Sequence, residues 1–278
     1  MNDVCYKIGF CFKLYTNDNT SDERYKIIET FINSLNKLVE DKKSVLYVAI
    51  IDCVPNYKLL NCINQIHKDV KIIIMNENTG ISYATNIGIE YLIKYGCEYI
   101  FCSDDDIIIK NTNVLDVYVS NLECNNINLL GYYPIEELYS QGTKVNYEDI
   151  NQNIIKICNG YSGCFYCFNK SVIYNYGYLP ILKEKHGYEH VIFQTYISKN
   201  QYDIKNINIY LELNKNSLKH TSGYLLEHKN TKKELYNEHL MYKHNNNHEY
   251  FISRFNKYYI YKQFCFPKII IYHGNGIN

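Results

Sequence analysis

Three consecutive carboxylates, Asp104, Asp105 and Asp106, close the apolar run Tyr99-Ile100-Phe101-Cys102-Ser103. Like charges side by side repel, so such a run needs a cation or a dense set of hydrogen bonds to hold it. At the carboxyl end of a strand in an open α/β sheet, it would face the crevice in which ligands sit. A hard divalent metal bridging a phosphate-bearing substrate is the simplest chemistry for the three groups. Taken alone, an acidic run is more often a solvated loop or a helix N-cap. The elements around it decide between these readings.

Those elements alternate. Tyr6–Tyr15 predicts a strand, and Thr20 with Glu23 predicts a capping-box helix start. Ile28, Phe31, Ile32, Leu35, Leu38 and Val39 then keep a helical spacing of three and four. Val45–Ile51 reads as a second strand ending on Asp52, and Leu59, Leu60, Ile63 and Ile66 mark a short helix. Val70–Met75 reads as a third strand closing on Asn76-Glu77-Asn78-Thr79-Gly80. A helix with Ala84, Ile87, Gly88, Tyr91 and Leu92 inward precedes the acidic strand. Alternation of this kind predicts an α/β fold, a doubly wound and mostly parallel sheet with helices on both faces. Right-handed crossovers would gather Lys13 to Thr16, Asp52, the Asn76 to Asn86 segment and the triplet along one edge. The chain has no GxGxxG or GxxxxGK[ST] phosphate loop, which excludes the usual dinucleotide and P-loop sites.

Beyond the triplet the alternation loosens. Thr112–Leu122 predicts a helix, Asn128–Tyr133 a strand and Glu136–Asn153 a polar loop. Ile154–Phe168 is β-like, interrupted at Gly160-Tyr161-Ser162-Gly163, where a turn or a ligand would bring backbone close. Gly187-Tyr188-Glu189-His190 opens a helix through Val191, Ile192, Thr195 and Tyr196, and a strand is expected over Ile207–Leu213, before Lys219-His220-Thr221. From about Glu227 the composition turns strongly polar. The expected division is a domain over 1–226 and a helical extension over 227–278.

At 278 residues the chain can bury a substantial core. Lys+Arg and Asp+Glu balance at 29 each, so no global field draws it to nucleic acid or an anionic membrane. No apolar stretch approaches a membrane span, and Met1-Asn2-Asp3-Val4 leads directly into the first strand-like run. The 11 cysteines sit in apolar segments such as Phe10-Cys11-Phe12, as small buried hydrophobes of a reducing compartment do. Cys164 and Cys167, three apart on a β-like run, should face opposite sides and share no zinc. A cytoplasmic location is expected. The many tyrosines and asparagines read as a codon bias toward A and T, although surface tyrosines do suit sugar rings.

In this order, Asp52, Asn78-x-Gly80 with Asn86 and Gly88, the DDD strand end, Gly163, Gly187-Tyr188-Glu189-His190 and a late His220 resemble the inverting GT-A glycosyltransferases, particularly the family-2-like group. The likeness spans roughly residues 5 to 225. It implies a GT-A domain and a nucleotide-sugar donor, uridine diphosphate-linked by prevalence in the family, with a glycan or glycoprotein acceptor. By this likeness Asp52 would contact the nucleotide base and Asn86 would touch the donor, and Lys13 and Asn78, gathered on the same sheet edge, are expected to line the donor site. Asp104 and Asp105 would add to the donor site. Asp104 and Asp106 would be the outer aspartates of a DxD motif holding Mn²⁺ or Mg²⁺, with His220 as a further metal ligand. Glu189 and His190 fall on the family's glutamate–aspartate pair, one member of which is the general base. Histidine in place of the second carboxylate leaves the base open. A helix N-terminus disfavours imidazolium, which favours Glu189.

Each residue also has a plainer role. Asp52 could cap a turn, Asn86 could face solvent, Gly88 could serve packing, Glu189 could be an N-terminal helix charge and His220 a surface histidine. Two other functions compete with transfer. A nucleotidyltransferase would want a glycine-rich basic loop after the first strand, and Lys13-Leu14-Tyr15-Thr16-Asn17-Asp18 has no glycine. A non-catalytic module that binds nucleotide or glycan without turnover is kept open by His190.

Overall fold

The computed structural model describes residues 7–109, 111–124, 129–132, 145–146, 156–157, 162–181, 190, 193, 204–206, 218–220 and 271–273. Strands β1 (Ile8–Leu14), β2 (Val45–Ile51), β3 (Lys71–Ile74) and β4 (Tyr99–Ser103) run parallel in the order β3-β2-β1-β4. Helices α1 (Asp22–Asp41), α2 (Tyr57–Ile63) and α3 (Ile81–Lys94) make the crossovers between them. Every residue of β2 is buried, as suits a parallel strand covered on both faces.

Strand alternation sorts the core into two layers. Phe10, Phe12 and Leu14 join Tyr47, Ala49 and Ile51 against Ile28 and Phe31 of α1 and Leu59 and Ile63 of α2. Cys11, Leu46, Val48 and Ile50 turn the other way, onto Ala84, Ile87 and Leu92 of α3. Gly88 permits that second contact: a Cβ there would stand 2.8 Å from Cys11 Cβ. Helices therefore cover both faces, as the periodicity predicts.

The chain continues through β5 (Ile107–Ile109), α4 (Val114–Cys124), β6 (Leu129–Tyr132), a small hairpin of β7 (Val145–Asn146) and β8 (Lys156–Ile157), and β9 (Ser162–Asn169). Then follow α5 (Ser171–Tyr176), β10 (Ile204–Asn206), β11 (Leu218–His220) and β12 (Ile271–His273). The eight-stranded sheet has the order β10-β6-β9-β4-β1-β2-β3-β12. β9 is antiparallel to β4 and β6, and β12 is antiparallel to β3, so these two oppose the direction that the sheet's other strands share.

Some local expectations shift. α1 starts from Ser21, whose Oγ accepts the Arg24 N–H at 3.4 Å, while Thr20 Oγ1 accepts the Asn17 N–H at 2.8 Å. Both hydroxyls are spent, one on the helix and one on the loop before it. Cys164 and Cys167 pack into one core layer rather than opposite ones, at the strand end where the β6–β9 register shifts. The strand expected over 207–213 lies outside the described residues, as does most of the polar loop and of the helical extension. Within that extension, Ile271–His273 pair with β3 at the sheet edge.

Candidate active site

The strand order reverses direction at β1: β2 and β3 lie on one side, and the chain then crosses to place β4 on the other. Ligands of open α/β sheets bind at such a switch point, beyond the carboxyl ends of the strands. Phe12 and Ser103 are register partners, so the next residues, Lys13 and Asp104, stand beside each other at the crevice. Lys13 Nζ donates to Asp104 Oδ1. The Asp104 carboxylate keeps 33% of its exposure and so faces the opening.

The other two carboxylates turn inward. Asp105 is buried, and its two oxygens accept from Arg24 Nη2 at 2.6 and 2.7 Å. Burial pushes the Asp105 carboxyl above its ordinary value, Arg24 pulls against that rise, and the charges of Asp106 and Asp104 add to it. Asp106 is also buried, at the point where the chain enters β5. Backbone bonds hold the turn: the Asp104 N–H donates to the Cys164 carbonyl at 2.8 Å, and Ser103 Oγ donates to the Asp104 carbonyl at 2.7 Å. Lys13 from β1 thus answers the Asp104 charge and Arg24 from α1 the Asp105 charge, while a backbone bond straps the turn to β9.

Asp52, at the end of β2, fastens the neighbouring loop. Its carboxylate accepts the Thr79 N–H at 2.7 Å, the Thr79 hydroxyl, and the Gly80 N–H at 3.1 Å. Burial raises its pKa above the ordinary aspartate value, and the Thr79 and Gly80 bonds oppose that shift. Those bonds matter because Gly80, with φ of 92°, leads into α3 with no side-chain cap of its own. Asn78, half-buried, is carried on this loop, as is Asn76 with φ of 58°. Asp52→Ala would leave the Thr79 and Gly80 N–H groups unanswered, and is expected to lower stability by about 2 kcal/mol in chemical denaturation.

Asn86 is fully buried rather than solvent-facing. Its amide donates to the Leu179 carbonyl at 2.9 Å and accepts the Leu179 N–H at 3.0 Å, clamping α3 to the segment after α5.

Two later residues of the sequence pattern reach the same region. A Cβ on Gly163 would stand 2.7 Å from His190 Nδ1, so the imidazole rests on the bare backbone of β9 next to Cys164. Cys164 is the residue strapped to Asp104, which brings His190 to the acidic turn's flank. β11 pairs antiparallel with β5, and His220 is the register partner of Ile107, one residue past Asp106. Glu189 lies outside the described residues. Among the described residues no cluster of three potential metal-ligating side chains is complete.

Gly163→Ala tests the His190 placement. The added methyl would displace the imidazole while leaving β9 paired. The expected result is a fall in turnover of about tenfold to a hundredfold with little change in melting temperature. An unchanged rate would remove the ring from the site.

Sequence reasoning missed Arg24, Thr79 and the Cys164 carbonyl. One signal pointed to the first. Arg24 and Arg254 are the chain's whole complement of arginines, and Arg24 lies in the first turn of a helix, where the dipole disfavours a cation.

No protein-family model matches the chain. An uncharacterized glycosyltransferase of Acanthamoeba polyphaga mimivirus is 28% identical over 206 residues, covering 72% of this chain and 78% of that protein. Among solved structures, a mannosyltransferase from Pyrobaculum calidifontis in complex with GDP-Man and Mn²⁺ superposes with a TM-score of 0.52 at 13% identity. That match covers 73% of this chain and 55% of the other. The S. aureus protein TarS superposes with a TM-score of 0.50 at 16% identity, over 72% of this chain and 35% of that one. This chain thus spans about half the length of the first solved relative and about a third of the second.

Proposed function

We propose, taking the chain as a glycosyltransferase of the GT-A fold, that it moves a sugar from a nucleoside diphosphate carrier to a hydroxyl of a glycan or glycoprotein, with inversion at the transferred carbon. Uridine diphosphate is the expected carrier, and guanosine diphosphate, present with the mannosyltransferase, is the first alternative. The observation that carries the reading is the acidic turn at the β1–β4 switch point, with Lys13 on its outer carboxylate. The rest of the site is read around it.

A divalent cation fits the residues gathered there. Asp104 already holds a cation, the Lys13 ammonium, at the crevice mouth. Asp106 stands at the start of β5, and the β5–β11 register brings the His220 backbone alongside. Two carboxylates suit Mg²⁺ or Mn²⁺, and an added imidazole favours Mn²⁺. When bound, the ion would neutralise the negative charge that develops on the departing diphosphate. Lys13, freed from Asp104, would be within reach of the same phosphates and hold them in register. Asn78 and the loop that Asp52 fastens would border the nucleotide side of the crevice, and Asn86 would act from within the core, by clamping α3. Glu189 would take the acceptor proton on the face opposite the leaving group, as single-displacement inversion requires. His190, lying on Gly163, would orient that carboxylate or the acceptor. No helix among the described residues is long and apolar enough to cross a membrane.

The testing experiment supplies UDP- and GDP-sugars with Mn²⁺ and follows released nucleoside diphosphate with and without glycan acceptors. Metal-dependent release that rises with one acceptor supports transfer. Binding of donor with no release under any acceptor would instead make the chain a binding module.

A further inference from the structure

We infer that Arg24 is the positioning residue of the acidic turn: by holding Asp105 inside the fold it leaves Asp104 and Asp106 as the pair that faces the cation. This rests on the metal reading of the turn given above, and it moves Asp105 from the donor site to the scaffold.

The geometry is specific. One guanidinium nitrogen spans both Asp105 oxygens at 2.6 and 2.7 Å, and the two side chains keep only 9% of their exposure each. That charge-assisted contact takes up one lone pair on each oxygen, and with both side chains buried it holds the carboxylate inside the fold rather than at the crevice. α1 holds the turn at a second point as well. Ser34 Oγ accepts the Ile109 N–H at 3.1 Å while donating to the Phe31 carbonyl at 2.8 Å. Asp106 lies between these two anchors, so α1 fixes the stretch from Asp105 to Ile109 as a unit. The residue type fits this task. Lysine carries nearly all the positive charge in this chain, yet the position facing Asp105 has arginine, whose weaker hydration suits a buried ion pair. It sits at the wrong end of a helix for a cation, and the Asp105 pair is what offsets that.

The test is Mn²⁺ uptake, read by loss of the free-ion electron paramagnetic resonance signal with UDP or GDP present. The proteins are wild type, Arg24→Lys, Arg24→Gln and the double variant Arg24→Met with Asp105→Asn. The double variant removes both buried charges and so keeps the fold accessible where Arg24→Gln fails to fold; circular dichroism melts check each protein. The expected result is uptake within about threefold of wild type for Arg24→Lys, and about tenfold weaker for Arg24→Gln and the double variant. A double variant that binds Mn²⁺ as wild type does would overturn the inference, since the turn would then need no anchor. Tighter binding by Arg24→Gln would also overturn it, because Asp105 would then be a ligand that Arg24 withholds. A wild-type protein that takes up no Mn²⁺ sinks the metal reading and this inference together, and shows itself before any variant is compared.

Discussion

Asp106→Ala is expected to lower transfer by at least about a thousandfold, equivalent to roughly 4 kcal/mol of lost transition-state stabilisation. Asp106 is buried at the inner end of the acidic turn, where β5 begins and where the β5–β11 register delivers His220. On the proposed reading, removing its carboxylate would take away the inner, buried ligand of the cation. Asp104→Ala should cost less, because that carboxylate is partly exposed and answered by Lys13 in the unliganded chain. Initial rates with Mn²⁺ at saturating donor, set beside donor binding with and without metal, check both variants. Metal-dependent transfer by Asp106→Ala within tenfold of wild type would remove Asp106 from the site.

Glu189→Gln is the second large effect. Glutamine keeps the shape and can still accept a hydrogen bond, but it cannot take up a proton. Donor and metal binding should stay within about threefold while transfer falls by roughly a hundredfold to ten-thousandfold. The neighbouring residue anchors this expectation, since His190 sits on Gly163, beside the strand residue that is strapped to Asp104. The glutamine variant of the neighbouring residue separates the two candidates. If His190→Gln abolishes transfer and Glu189→Gln does not, histidine is the base.

The first half of the fold was legible because its signals are local. The apolar runs ending at Leu14, Ile51 and Ile74 needed only composition and period, and the inner face of α3 followed the three-and-four spacing. The order of the sheet's other half was not. β9 slips antiparallel between β4 and β6, and β12 returns to pair with β3 across most of the chain, and a short apolar run carries no mark of either direction or partner. The site divides in the same way. The acidic turn, Lys13 and the loop after β3 could be placed on one edge by crossover handedness. Their partners could not, because those contacts join residues far apart in sequence: Arg24 with Asp105, Asn86 with Leu179, and Asp52 with Thr79. Asp52 illustrates the gap well. A carboxylate after a strand suggested both a base contact and a turn cap, and the fold uses it to tie two loops of the crevice together.

The most direct test of the central claim is a thermal shift of the wild-type chain against UDP, GDP, CDP and ADP, each with and without Mn²⁺. A ligand that binds only the folded state raises the melting temperature by mass action, by roughly 2.7 kcal/mol of stability at a hundredfold excess over its dissociation constant. One nucleoside diphosphate, UDP first, is expected to stabilise the chain only when Mn²⁺ is present, and Asp106→Ala to abolish the shift. Stabilisation by no nucleotide, or by a nucleotide equally well without metal and in Asp106→Ala, would contradict that claim.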